Sequence, residues 1–228
     1  MAFAGGMTVF PGGGVDPSDR PDATHWVGPD PRWWGERLGC SADLAGALVH
    51  AAVRETFEEC GVLLAGDDRP ADLAPLRADL VARRRTLGDV LAEMGLALRS
   101  DLLHAWARWI TPTASPMRYD TAFFVAPVPH GQIADAHTTE AVEAAWWHPM
   151  EALERWKRGE MQLMAPTLRT LQEIAEHPDT AAVLAAAGKR VIRPLMPILR
   201  RDGGNVVVVL PGEPEIELTP SHIPGTGP

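Results

Sequence analysis

Three glutamates, Glu55, Glu58 and Glu59, stand in the stretch AAVRETFEECGVLL, residues 51–64. At spacings i, i+3 and i+4 they are neighbours on a helical surface, where like charges repel by roughly a few tenths of a kcal/mol per pair. Such a group is either a solvated helix face or a set of hard oxygen donors whose repulsion a divalent cation would offset. At about 100° per residue, with Leu44 at zero, the three fall near 20°, 320° and 60°. Val49, Val53 and Phe57 fall near 140°, 180° and 220°, predicting an opposite, core-facing stripe on a helix over roughly 43–59. Ser41 or Asp43 is placed to cap its start, and Gly61 to end it.

The elements around this helix are mixed α and β. Met7–Phe10 reads as a short strand running into the turn Pro11-Gly12-Gly13-Gly14. Residues 17–40, rich in Pro, Gly, Asp and Trp, read as a long ordered loop. Residues 70–104 read as two short helices broken near Gly88 or Gly95. Ala105–Ile110 and Tyr119–Ala126 read as strands joined by the turn TPTASP, and Ala144–His148 as a third strand. Pro149 opens a short helix. Two helices over 166–176 and 179–187 follow, then a late strand, Val206–Leu210. No repeat or low-complexity block interrupts the chain.

The 228 residues, 46% hydrophobic and 22% charged, bury a sizeable core without difficulty. A net charge of −9 argues against a general binder of nucleic acid or membrane surfaces. Cys40 and Cys60 are too few for a disulfide scaffold, and no Cys/His spacing suits zinc. The N-terminal residues lack the basic region of a signal peptide, and no apolar run approaches the roughly 18 residues of a membrane span. The expectation is a cytoplasmic protein. Phosphate-loop, dinucleotide and esterase-elbow motifs are absent.

Arg54-Glu55-Thr56-Phe57-Glu58-Glu59-Cys60-Gly61-Val62 resembles the second half of the Nudix signature, with only Thr56 departing, in an aliphatic slot. Phe10-Pro11-Gly12-Gly13 resembles its first half. The resemblance implies an α/β fold, the Nudix α/β/α sandwich with a mixed sheet, as a single domain over residues 1–228. It implies Mg²⁺ or Mn²⁺ held by Glu55, Glu58, Glu59 and the carbonyl of Gly12, bridging a diphosphate and activating water. Glu58 and Glu59 would be catalytic through that metal. Arg54 would brace a carboxylate, and Gly13 and Gly61 would support the site. A further carboxylate from HTTEAVEAAWWHP would act as ligand or general base, with Glu140 preferred over Glu143.

The signature is split. Gly13 and Arg54 are 41 positions apart where the family has about fourteen, so residues 17–42 form an insertion of about 27 residues. The glutamate usually found six positions after the glycine has no match on this reading, since Asp19 sits inside the insertion and Gly46 occupies the helix-side register. The pieces FPGGGVD, AVRETFEECGVLL, WARWITP, RYDTAFFVA and VVVLPGE resemble the branch of the family that includes the peroxisomal coenzyme A diphosphatase of animals and bacterial relatives. That resemblance implies a small nucleoside diphosphate derivative as substrate, coenzyme A or acyl-CoA first. ADP-ribose, NADH, dinucleoside polyphosphates and a catalytically silent nucleotide sensor are the alternatives. Residues 70–104 become a helical segment and 158–228 a C-terminal extension. The N-terminal strand region is short or missing, leaving an edge that a homodimer would cover. Arg118, Trp33 and Trp34 are candidates to touch substrate. The arginine run 83–85 reads as a solvated helix face.

Overall fold

The computed structural model describes residues 7–20, 25–66, 73–113, 115, 117–135, 145–202, 205–210, 212 and 215–218. Helix α1, Pro31–Leu38, lies where a loop was expected. Its signals are local. Asp30 accepts from the Trp33 amide at 2.8 Å, Pro31 opens the first turn, and Gly39 ends it with φ 69°.

Helix α2, Ala42–Cys60, carries the three glutamates. Ser41 caps it through the Leu44 amide, and Gly61 terminates it at φ 72°, a left-handed conformation that glycine adopts without steric cost. The predicted stripe is the core face: Val49, Val53 and Phe57 have no exposed surface. Full burial of one such side chain stabilises the fold by about 1.5–3 kcal/mol.

Two short helices follow, α3, Ala74–Val81, and α4, Leu87–Met94. The break between them, residues 82–86, lies just ahead of Gly88, one of the two expected places. Arg83 turns with φ 53°, Gly88 lies within α4, and Gly95 ends it. A reciprocal Thr86–Asp89 capping box starts α4. Residues 83–85 are therefore a turn and not a helix face. Arg84 pairs with Asp79, Arg85 with Glu93 and Arg83 with Asp16.

Strand β1, Trp26–Val27, pairs in parallel with β2, Leu98–Arg99. Strand β3, His104–Ile110, pairs antiparallel with β4, Asp120–Val125, and in parallel with β5, Pro194–Leu195. Alternation along β4 builds the layers. Ala122 and Phe124 pack into the core that holds α1 and α2, while Phe123 and Val125 pack with Trp106, Trp109 and the helix α7, Thr180–Lys189. This is an α/β fold with a mixed sheet between helices, as expected.

Other expectations change. Met7–Phe10 forms a single bridge, Thr8 to Leu163, in place of a strand. Residues 145–148 are irregular up to α5, Pro149–Lys157, and residue 144 lies outside the described residues. Helix α6 is Ala165–Ala175. The late strand is β7, Asn205–Val209, in an antiparallel sheet between β6, Ile198–Asp202, and β8, Ile216–Leu218.

Candidate active site

The acidic face of α2 meets the glycine turn of the N-terminal segment. The Gly12 amide donates to Glu59 Oε2 at 3.1 Å. A Cβ at Gly13 would collide with the Glu55 carboxylate where Arg54 holds it, so a larger residue there would push that side chain aside. The two halves of the split signature are thus adjacent in space.

Arg54 organises the face from beneath. Its Nη1 donates to Glu55 Oε1 at 2.9 Å and to Glu58 Oε2 at 3.2 Å. Its Nη2 donates to the Gly14 carbonyl at 2.9 Å and to Asp19 Oδ2 at 2.8 Å, while Nε donates to Asp19 Oδ1 at 2.9 Å. This planar guanidinium holds two glutamates, the glycine turn and Asp19 together.

Asp19 corrects the sequence reading. It stands six positions after Gly13, and it braces the signature arginine from inside the insertion. It is fully buried and also accepts from the Asp16 amide at 2.7 Å, with His50 Nδ1 at 3.0 Å. Burial pushes its carboxyl up, but His50, Arg54 and the Asp16 amide together hold it at about 2. The signal that could have found Asp19 was its spacing from Gly13; that of His50, one helical turn before Arg54 on α2, was weaker.

Glu58 behaves differently. Burial raises its carboxyl, Arg54 pulls it back, and the neighbouring Glu55 charge raises it again. The cost of crowding carboxylates is therefore only partly offset by Arg54. In chemistry the donors fit a hard divalent cation, since all are carboxylate oxygens beside a glycine turn. Among the described residues no three His, Cys, Asp or Glu side chains already converge on one metal position. Instead Arg54 holds one oxygen each of Glu55 and Glu58, and the Gly12 amide one of Glu59.

The remaining candidates divide. Glu140 and Glu143 lie outside the described residues. Trp34 is 1% exposed and packs edge-on against Phe124 at 5.8 Å, so its ring belongs to the core and not to a substrate surface. Trp33 is 46% exposed and sits edge-on against Trp34. Arg118 is exposed and donates to the Thr111 carbonyl at 3.1 Å, closing the β3–β4 hairpin without a bond to the acidic face. No helix among the described residues is long and apolar enough to cross a membrane.

The family profile described as the NUDT19 Nudix domain matches residues 38–174. The acyl-coenzyme A diphosphatase NUDT19 of Gallus gallus is 29% identical over 206 residues, which are 77% of this chain and 53% of that protein. Its Homo sapiens namesake is 25% identical over 259 residues, 93% of this chain and 68% of that one. This chain spans about half the length of its curated relatives from Caenorhabditis elegans, Xenopus laevis and Gallus gallus. A crystal structure of a NUDIX hydrolase from Alicyclobacillus acidocaldarius matches with a TM-score of 0.67 and 30% identity, covering 85% of this chain and 86% of that one. With a family profile covering more than half its length, and the signature's two halves joined at Gly12, Gly13, Arg54 and Asp19, this chain belongs to the Nudix hydrolase family.

Proposed function

We propose that this chain is an Mg²⁺- or Mn²⁺-dependent Nudix diphosphatase, a single domain over residues 1–228, that cleaves the diphosphate linkage of coenzyme A or acyl-CoA. The observation that carries the reading is the Arg54-braced set Glu55, Glu58 and Glu59 against the Gly12–Gly13 turn. The substrate follows from relatives named acyl-coenzyme A diphosphatase. Glu55, Glu58, Glu59 and the Gly12 carbonyl would hold the cation. A divalent cation there supplies neutralising charge for diphosphate oxygens and a lowered pKa for bound water.

The chain's own groups do the rest. Arg54 keeps two carboxylates at fixed positions, so little reorganisation is required when charge develops on the phosphate. Gly13 lets the backbone lie against the Glu55 carboxylate, which a Cβ there would push out of place. Glu58 or Glu59, or Glu140 from the later segment, would accept the proton of the attacking water.

Incubation with Mg²⁺ and a panel of coenzyme A, acyl-CoA, ADP-ribose, NADH and diadenosine polyphosphates, read by mass spectrometry, tests this. The expected products from coenzyme A are 4′-phosphopantetheine and 3′,5′-ADP, lost on chelation of the metal. Cleavage confined to another panel member would replace the substrate. Thermal stabilisation by a nucleotide without any product would replace the enzyme with a sensor.

A further inference from the structure

We infer that Arg77 and Asp135 are positioning residues that clamp the last turn of the acidic helix and keep Glu58 and Glu59 in register. The bonds that carry this role reach the backbone beneath the acidic side chains.

Arg77, on α3, is 7% exposed. Its Nε donates to the Glu58 carbonyl at 2.9 Å, and its Nη1 donates to Asp135 Oδ1. The Asp135 amide donates to the Cys60 carbonyl at 2.9 Å. Both carbonyls are among the last four of α2, which have no partner within the helix. A guanidinium at this end also meets the negative pole of the helix dipole favourably.

The segment that supplies Asp135 is docked a second time. Gln132 accepts from the Leu63 amide at 2.7 Å and donates to the Leu63 carbonyl at 2.9 Å. Gly61 lies between these attachments. A Cβ there would come within 3.0 Å of Arg77 Nη1 and 3.3 Å of Asp135 Oδ2. The glycine therefore serves the clamp as well as the turn that ends the helix.

Stability alone does not account for an arginine here. Its Nη2 is buried with no hydrogen-bond partner among the described residues, a cost that an apolar side chain of similar volume avoids. What the arginine supplies is directional. Two donors on one rigid plane fix the backbone of Glu58 relative to Asp135.

The test compares Arg77→Met and Asp135→Ala with wild type by hydrogen–deuterium exchange and by steady-state kinetics; the kinetic arm rests on the proposed diphosphatase activity. In Arg77→Met, peptides covering 56–63 and 132–135 should exchange faster while β6 and β7 keep their wild-type rates. kcat should fall on the order of ten- to a hundredfold, as a small misplacement of catalytic groups does. KM should stay within about threefold, which separates positioning from substrate binding. Wild-type exchange in those peptides, or an unchanged kcat, overturns the inference. If Arg77→Met does not fold, Asp135→Ala is read alone by the same criteria, because it removes the acceptor for Arg77 Nη1 and leaves Arg77 itself in place. If wild type turns over nothing on the panel, that silence counts against the proposed function, and the exchange result alone decides the clamp.

Discussion

Two arginine–aspartate pairs in this molecule share one geometry and differ in their surroundings. Arg54 meets Asp19 through Nε and Nη2 at 2.9 and 2.8 Å. Arg108, on β3, meets Asp120, on β4, through the same atoms at 2.8 and 2.6 Å. Asp19 has no exposed surface, whereas the Asp120 side chain is 44% exposed. Where water screens one partner, an ion pair is worth about 0–1 kcal/mol, with two-pronged geometry toward the upper end. Where it does not, the carboxylate depends on the guanidinium to stay charged, and loss of either strands the other. The buried pair stands beneath the acidic face; the half-exposed one fastens α1 to the sheet, with Arg108 Nη1 reaching the Leu38 and Gly39 carbonyls.

The comparison breaks most directly at Asp19. Asp19→Ala leaves the Arg54 guanidinium buried without its main partner and should cost about 3–5 kcal/mol, measured by urea unfolding at neutral pH. A loss below 1 kcal/mol would put the two pairs in one class. Acid gives the next largest effect. The Asp19 carboxyl is held at about 2 against an ordinary 3.8. Its contribution is present above about 3.8 and lost as pH falls from there through 2. About 2 kcal/mol of stability should go in that window, and Asp19→Asn should flatten that part of the curve.

Asp120→Asn should cost about 1 kcal/mol or less, since solvent already screens the pair and the amide still accepts from Arg108. A loss as large as that of Asp19→Ala would mean that geometry outweighs burial. The smallest effect on stability is expected at Glu58→Gln. Burial already raises that carboxyl, so neutralising it should shift the unfolding free energy by no more than about 0.5 kcal/mol. The same substitution should remove most turnover at limiting Mg²⁺, because an amide holds a divalent cation poorly. Wild-type rates there would sink the metal assignment.

Much of the acidic helix is legible from residue order because its signals are local and agree. The stripe Val49, Val53 and Phe57, the Ser41 cap and the Gly61 stop all point to one element. The contact between Gly12 and Glu59 is legible only through family resemblance, since nothing periodic joins residues 47 apart. Asp19 is hard to assign because its count of six from Gly13 fits the signature while the count on to Arg54 does not. Its role is set by burial and by His50 and Arg54, which are tertiary facts. Helix α1 escapes a reading of residue order for the opposite reason. Its Asp30-Pro31 start and Gly39 stop are in plain view, but the density of Pro and Gly around them favours a loop reading. Strand β6 has no buried face at all, so no alternation marks it, and it exists through pairing with β7.

The glycine turn is seated by partners far along the chain. Thr8 donates to the Gln162 carbonyl, and Phe10 packs edge-on against Phe123. During synthesis from the N-terminus, helix α2 is complete long before either partner has left the ribosome. A nascent chain therefore carries its acidic helix early but cannot fully seat the glycine turn until residues beyond 160 have emerged and docked. Such distant closure is slow, and it makes this turn the part of the site whose assembly waits longest on the rest of the chain.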